Sequence, residues 1–89
     1  MGSLTPIDWR GPVKRSITIA GHETSISLEP VFWTALREAA AARNLPLNAL
    51  VAQIDAERIE APDPLNLASA IRVWLMTAAR QSRPSSTRA

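Results

Sequence analysis

The chain has 89 residues, a net charge of +2, and no cysteine. That length allows one domain at most, and a domain this small is marginal on its own. Disulfides and thiolate metal sites are excluded, so oligomerisation is the remaining common source of stability. No apolar run approaches the roughly 18 residues of a membrane span, and Met1 to Lys14 has no signal-peptide pattern. The expectation is a cytoplasmic protein, and the lack of cysteine fits a reducing compartment. Charge is uneven along the chain. Residues 1–15 carry Arg10, Lys14 and Arg15 against Asp8, and residues 80–89 carry Arg80, Arg83 and Arg88 with no acid. The stretch between is acidic, with seven carboxylates against four arginines. Basic ends offer a sequence-independent grip on phosphate; solvated tails are the plain alternative.

Residues 1–13 hold Pro6, Gly11 and Pro12, show no periodicity, and read as a flexible N-terminal arm. Trp9 is out of character there and is expected to fold back on the body or onto a partner. Arg15 to Leu28 reads as a β-hairpin, because Ser16–Ile19 and Thr24–Leu28 both alternate with period two. Gly21-His22 suits a two-residue type II′ turn. That turn pairs Ile19 with Thr24, Ile17 with Ile26, and Ser16 with Ser27. One face then carries Ile17, Ile19, Ile26 and Leu28, and the other Ser16, Thr18, Ser25 and Ser27.

A helix is predicted from Pro30 to Arg43, with Pro30 in its first turn and an apolar stripe of Phe32, Ala35, Leu36 and Ala39. Trp33 falls off that stripe, but it and Trp74 are expected to pack in the core or at a dimer interface rather than to form a ligand platform. Asn44 suits the left-handed residue that ends a helix. A second helix, Pro46 to Arg58, has Leu47, Leu50, Val51 and Ile54 at i, i+3, i+4 and i+7. Ala61-Pro62-Asp63-Pro64 breaks the chain. A third helix, Leu67 to Arg80, has Asn66 as its N-cap and a stripe of Leu67, Ala70, Ile71, Trp74, Leu75 and Ala78. Val73 and Met76 are apolar beyond that stripe. The organisation is therefore an arm (1–13), a folded domain (14–80) and a disordered basic tail (81–89).

The segments Thr24-Ser25-Ile26-Ser27-Leu28-Glu29-Pro30, Arg43-Asn44-Leu45 and Pro46-Leu47-Asn48-Ala49-Leu50-Val51, with the stripe Phe32/Leu36/Ala39, resemble the ribbon-helix-helix family of Arc-like and MetJ-like repressors. The string Lys14 to His22 and the string Asn66 to Arg72 are similar to a bacterial branch with an added strand before the ribbon and an added helix after the core. The resemblance implies a mainly α fold with a short β-ribbon, a hairpin followed by three helices, in an intertwined homodimer. It implies ribbon strands paired antiparallel about a two-fold axis, Thr24–Leu28 central and Ser16–Ala20 outside. It places Ile26, Leu28, Phe32, Leu36, Leu50, Val51, Ile54 and Trp74 in the shared core.

The resemblance also implies DNA binding and transcriptional regulation. The outward ribbon face would enter the major groove, with Ser25 and Ser27 at base-reading positions and Glu23 next in line. The plain alternative is a solvated sheet face. The start of helix two would hold a backbone phosphate through the N–H groups of Leu47 and Asn48 and the Asn48 side chain. Pro46 departs from the serine common there and removes a hydroxyl and an N–H. Lys14 and Arg15 would reach flanking phosphates, or simply guard a strand edge.

His22 is the lone histidine, so neither a metal site nor a serine triad is expected. Asp55 and Glu57 lie at i, i+2 and make a poor acid–base pair. No enzyme activity, metal or cofactor is expected. The expected partners are a second copy and DNA, with no membrane. The competing reading keeps the fold as a dimerisation or protein-interaction adaptor that has lost nucleic acid, favoured by the acidic middle, Pro46 and Glu23.

Overall fold

The computed structural model describes residues 6–81. The loose segments expected at residues 1–5 and 82–89 lie outside the described residues. Residues 6–12 hold no regular structure and are exposed, and Trp9 is 83% exposed. The elements that follow are β1 (Val13–Ile19), β2 (His22–Leu28), α1 (Pro30–Ala42), α2 (Leu47–Ile59) and α3 (Leu67–Gln81). This is a two-stranded antiparallel sheet followed by three helices, as expected.

The turn corrects the sequence reading. Its central residues are Ala20 and Gly21, both with positive φ (50° and 82°), not Gly21 and His22. Positive φ at both positions is the requirement of a type I′ turn, whose twist matches the flanking strands. The register moves accordingly: Ile19 faces His22, Ile17 faces Thr24, Ser16 faces Ser25, and Val13 faces Leu28. The expected register would have put Val13 opposite Pro30, which is already the first residue of α1 and lies beyond the strand. The observed one extends the ladder to seven residues on each strand. The shift is even, so no side chain changes face. Ile17, Ile19, Ile26 and Leu28 are buried on one side, and Lys14, Ser16, Thr18, Glu23, Ser25 and Ser27 lie on the other.

One residue, Glu29, separates β2 from α1, and Pro30 opens the helix where no N–H is needed. Trp33 packs in the core as expected, 1% exposed beside Leu36 and Ala40, although it lies off the expected stripe. Phe32, Ala35 and Ala39, the expected stripe, are half-buried beside it. The buried face is rotated because Trp33 reaches beneath the start of β1, where its indole N–H donates to the Val13 carbonyl at 2.9 Å.

The α1–α2 corner closes as a Schellman motif. The Leu45 N–H donates to the Ala40 carbonyl at 2.9 Å and the Asn44 N–H to the Ala41 carbonyl at 3.0 Å, with Asn44 at φ 57°. Leu50, Val51 and Ile54 of α2 enter the core, as their spacing predicted. The α3 N-cap is Asn66, whose Oδ1 accepts from the Ser69 N–H at 2.8 Å. Ala70, Ile71 and Leu75 of α3 complete the core, and Leu67, Trp74 and Ala78 are half-buried. The core therefore sits on one side of the hairpin, which leaves the opposite sheet face uncovered by any described element.

Candidate nucleic-acid interface

The uncovered sheet face is short and polar. On β1 it presents Lys14, Ser16 and Thr18, and on β2 Glu23, Ser25 and Ser27. All are exposed except Ser27, which is half-buried. Cross-strand neighbours on this face are Lys14 with Ser27, Ser16 with Ser25, and Thr18 with Glu23. The face is thus polarised along the strands, with a cation at the end next to α1 and a carboxylate at the turn. Hydroxyls over a pleated strand can donate to or accept from base edges and phosphates.

The hairpin leaves both of its edges unpaired among the described residues. In a two-residue hairpin the closing pair exchanges both backbone hydrogen bonds, and alternate residues turn their backbone groups outward. On β2 those residues are Glu23, Ser25 and Ser27. An open row of N–H and C=O groups is a template for another strand.

Lys14 and Arg15 separate onto opposite faces. Arg15 lies on the helix side, with its guanidinium 5.6 Å from the Trp33 ring centroid. It lines a groove with Arg10, Thr34 and Arg37. Arg10 in that groove is engaged by Asp8 through its Nε and Nη2 (3.0 and 2.7 Å). The Arg10 hydrogen bonds, with their charge, hold the Asp8 carboxyl down at about 2.

The start of α2 is a second potential anion contact. Pro46 is its N-cap and supplies no side-chain cap. The Ala49 and Leu50 N–H groups both bond the Pro46 carbonyl, and those of Leu47 and Asn48 precede the first helical bond. Leu47 is half-buried and Asn48 is exposed, so the Asn48 amide is open to a ligand.

Of the residues expected in a shared core, Ile26, Leu28, Leu36, Leu50, Val51 and Ile54 are buried within the single chain. Phe32 and Trp74 are half-buried. Each carries a guanidinium: Arg72 lies 5.6 Å from the Phe32 ring centroid, and Arg43 lies 4.8 Å from that of Trp74. Arg72 also bonds Glu29 Oε1 through Nε and Nη2 at 3.0 and 2.9 Å. Sequence reasoning missed this bridge between α3 and the β2–α1 junction, since a 43-residue separation leaves no local signal. Asp55 pairs with Arg58 at 2.7 Å, one turn along α2. His22, exposed at the hairpin tip, is the first residue of β2. Among the described residues no His, Cys, Asp or Glu cluster could hold a metal ion, and no helix is long and apolar enough to cross a membrane.

A ribbon-helix-helix domain model matches residues 12–79, which span both strands and nearly all of the three helices. Comparison with curated proteins and with solved structures finds no match. A ribbon leading directly into α1, the left-handed corner at Asn44 and the buried face of α2 agree with that match, and the chain belongs to the ribbon-helix-helix domain family.

Proposed function

We propose that the protein is a homodimeric DNA-binding regulator that reads the major groove with paired β2 strands. The observation carrying this reading is the hairpin itself: a hydroxyl-rich face uncovered by the fold, on a strand whose outer edge has no partner among the described residues. Members of the family generally bind DNA as dimers. In this reading β2 pairs antiparallel with its two-fold mate, and Ser25 and Ser27 meet base edges, with Glu23 outside them near the turn. Serine discriminates bases less than arginine or asparagine does, so backbone contacts supply much of the affinity. The Leu47 and Asn48 N–H groups, the Asn48 side chain and Lys14 are the proposed phosphate contacts. Arg15 adds positive potential from the hairpin's flank.

Selection tests this reading. The purified chain is incubated with genomic fragments at low salt, and the retained fragments are sequenced. Enrichment of a short palindrome is the expected result. A folded dimer that enriches nothing contradicts it.

A second reading, an adaptor of the same fold that binds protein, is favoured by one observation. On α3, Val73 and Met76 are 55% and 60% exposed. Val73 lines a mostly apolar groove of about 310 Å³ that includes Ile54, Leu65 and Trp74. Co-purification of a stable protein partner, without DNA affinity, distinguishes this reading.

A further inference from the structure

The added strand β1 changes what the ribbon can do, and the consequence rests on the DNA-binding reading above. Pairing β2 with its two-fold mate gives a four-stranded sheet with a β1 strand at each side. Neighbouring strands lie about 4.8 Å apart, so the axes of the two outer strands are about 14 Å apart. The major groove is about 12 Å wide and admits a two-stranded ribbon. A four-stranded sheet is too wide to enter it. With the two β2 strands in the groove, each β1 strand rides above a groove wall, and the walls are phosphodiester backbone.

We infer that the outward side of β1 is a phosphate-binding rail, with Lys14 and Ser16 as its ligands, and that it reads no bases. The charge pattern fits that occupant. Lys14 is a cation on the outward face, and β1 carries no carboxylate. Lys14 and Ser16 are both exposed, and both face neutral serines across the hairpin, Ser27 and Ser25. Thr18, the third outward residue, faces Glu23, whose carboxylate repels phosphate, so the rail ends at Ser16. Arg15 is turned to the Trp33 side and is not part of it. The two strands thus divide the labour: β2 supplies sequence preference and β1 supplies salt-dependent affinity.

The test titrates the full chain against a selected duplex and a scrambled duplex of the same length over a range of salt. The wild type is compared with Lys14→Gln/Ser16→Ala and with Ser25→Ala/Ser27→Ala. Loss of one lysine contact per protomer is expected to weaken both duplexes by the same factor, about tenfold, and to lower the log–log salt slope by about 2. The β2 pair of substitutions is expected to reduce the preference for the selected duplex and leave the slope unchanged. If the wild type binds but the β1 variant keeps its slope, or loses preference as the β2 variant does, the rail is overturned while DNA binding stands. A wild type that binds neither duplex overturns both. Thermal melts check folding, and Lys14→Gln alone serves if the double variant melts early.

Discussion

The indole N–H of Trp33, the fourth residue of α1, donates a 2.9 Å hydrogen bond to the carbonyl of Val13, the first residue of β1. Arg15 covers the ring from the solvent side. The contact fastens the added strand to the first helix across 20 residues of sequence. Trp33→Phe keeps an aromatic ring but removes the donor and part of the volume. A cost of about 1–3 kcal/mol is expected from the lost bond and imperfect filling. Leu36→Ala, at the fully buried centre of the same helix, is expected to cost about 2–5 kcal/mol. Denaturant melts at fixed protein concentration measure both, and a Trp33→Phe protein as stable as the wild type contradicts the fastening role.

The turn stores strain at a single residue. Ala20 sits at φ 50°, where a Cβ is unfavourable, and Gly21 carries the second positive φ without that penalty. Asparagine followed by glycine is the preferred type I′ pair. Ala20→Asn is therefore expected to stabilise the protein by about 1 kcal/mol, raising Tm by roughly 4–8 °C. Ala20→Val is expected to lower it. An unchanged or lower Tm in Ala20→Asn would count against the turn assignment.

The corner at Asn44 makes the opposite comparison. Its φ of 57° and the paired bonds to Ala40 and Ala41 suit glycine at least as well. Asn44→Gly is expected to be neutral or slightly stabilising, and Asn44→Val destabilising by about 1–2 kcal/mol. Calorimetry on the two variants decides it.

Acid should loosen the β2–α1 junction. The Glu29 carboxyl is held below the ordinary glutamate value, first by its own backbone N–H and then by the Arg72 guanidinium. A depressed carboxyl contributes stability that is complete above the unfolded-state pKa and is lost as pH falls through the folded-state value. The wild type is thus expected to lose Tm on acidification below the ordinary glutamate range more steeply than Glu29→Gln, the two curves converging at the acid end. Asp8 is depressed too, but its partner Arg10 is two residues away on the exposed arm, a pair the unfolded chain can also form. Asp8→Asn is expected to leave the pH profile unchanged. Parallel curves for the wild type and Glu29→Gln would remove the Arg72 bridge as a source of acid sensitivity.

The proposed dimerisation through β2 has a backbone test. Proline is tolerated on an edge strand where its missing N–H faces solvent. By the observed register the Ser25 N–H points to the open edge of β2, so Ser25→Pro is expected to keep the hairpin and block the second strand. Sedimentation should then show monomer at concentrations where the wild type is dimeric. A wild type that is monomeric at all concentrations removes the paired-ribbon reading itself.

The sequence by itself determined the order of elements and the faces of the hairpin. Period-two alternation puts Ile17, Ile19, Ile26 and Leu28 together in either of two registers, because those registers differ by an even step. It also determined the helix ends at Asn44 and Asn66 and the buried face of α2, since caps and 3.6-residue spacing are local signals. Only the tertiary structure decided the turn pair, because Ala20 accepts a left-handed φ when Val13 and Leu28 are gained as a strand pair in return. Only it set the Trp33 indole against the distant Val13 carbonyl and joined Arg72 to Glu29. The candidate interface divides the same way. Its hydroxyls, and Lys14 and Arg15 on opposite faces, follow from strand alternation, but the pairing of Thr18 with Glu23 and of Lys14 with Ser27 required the register, which no local spacing encodes.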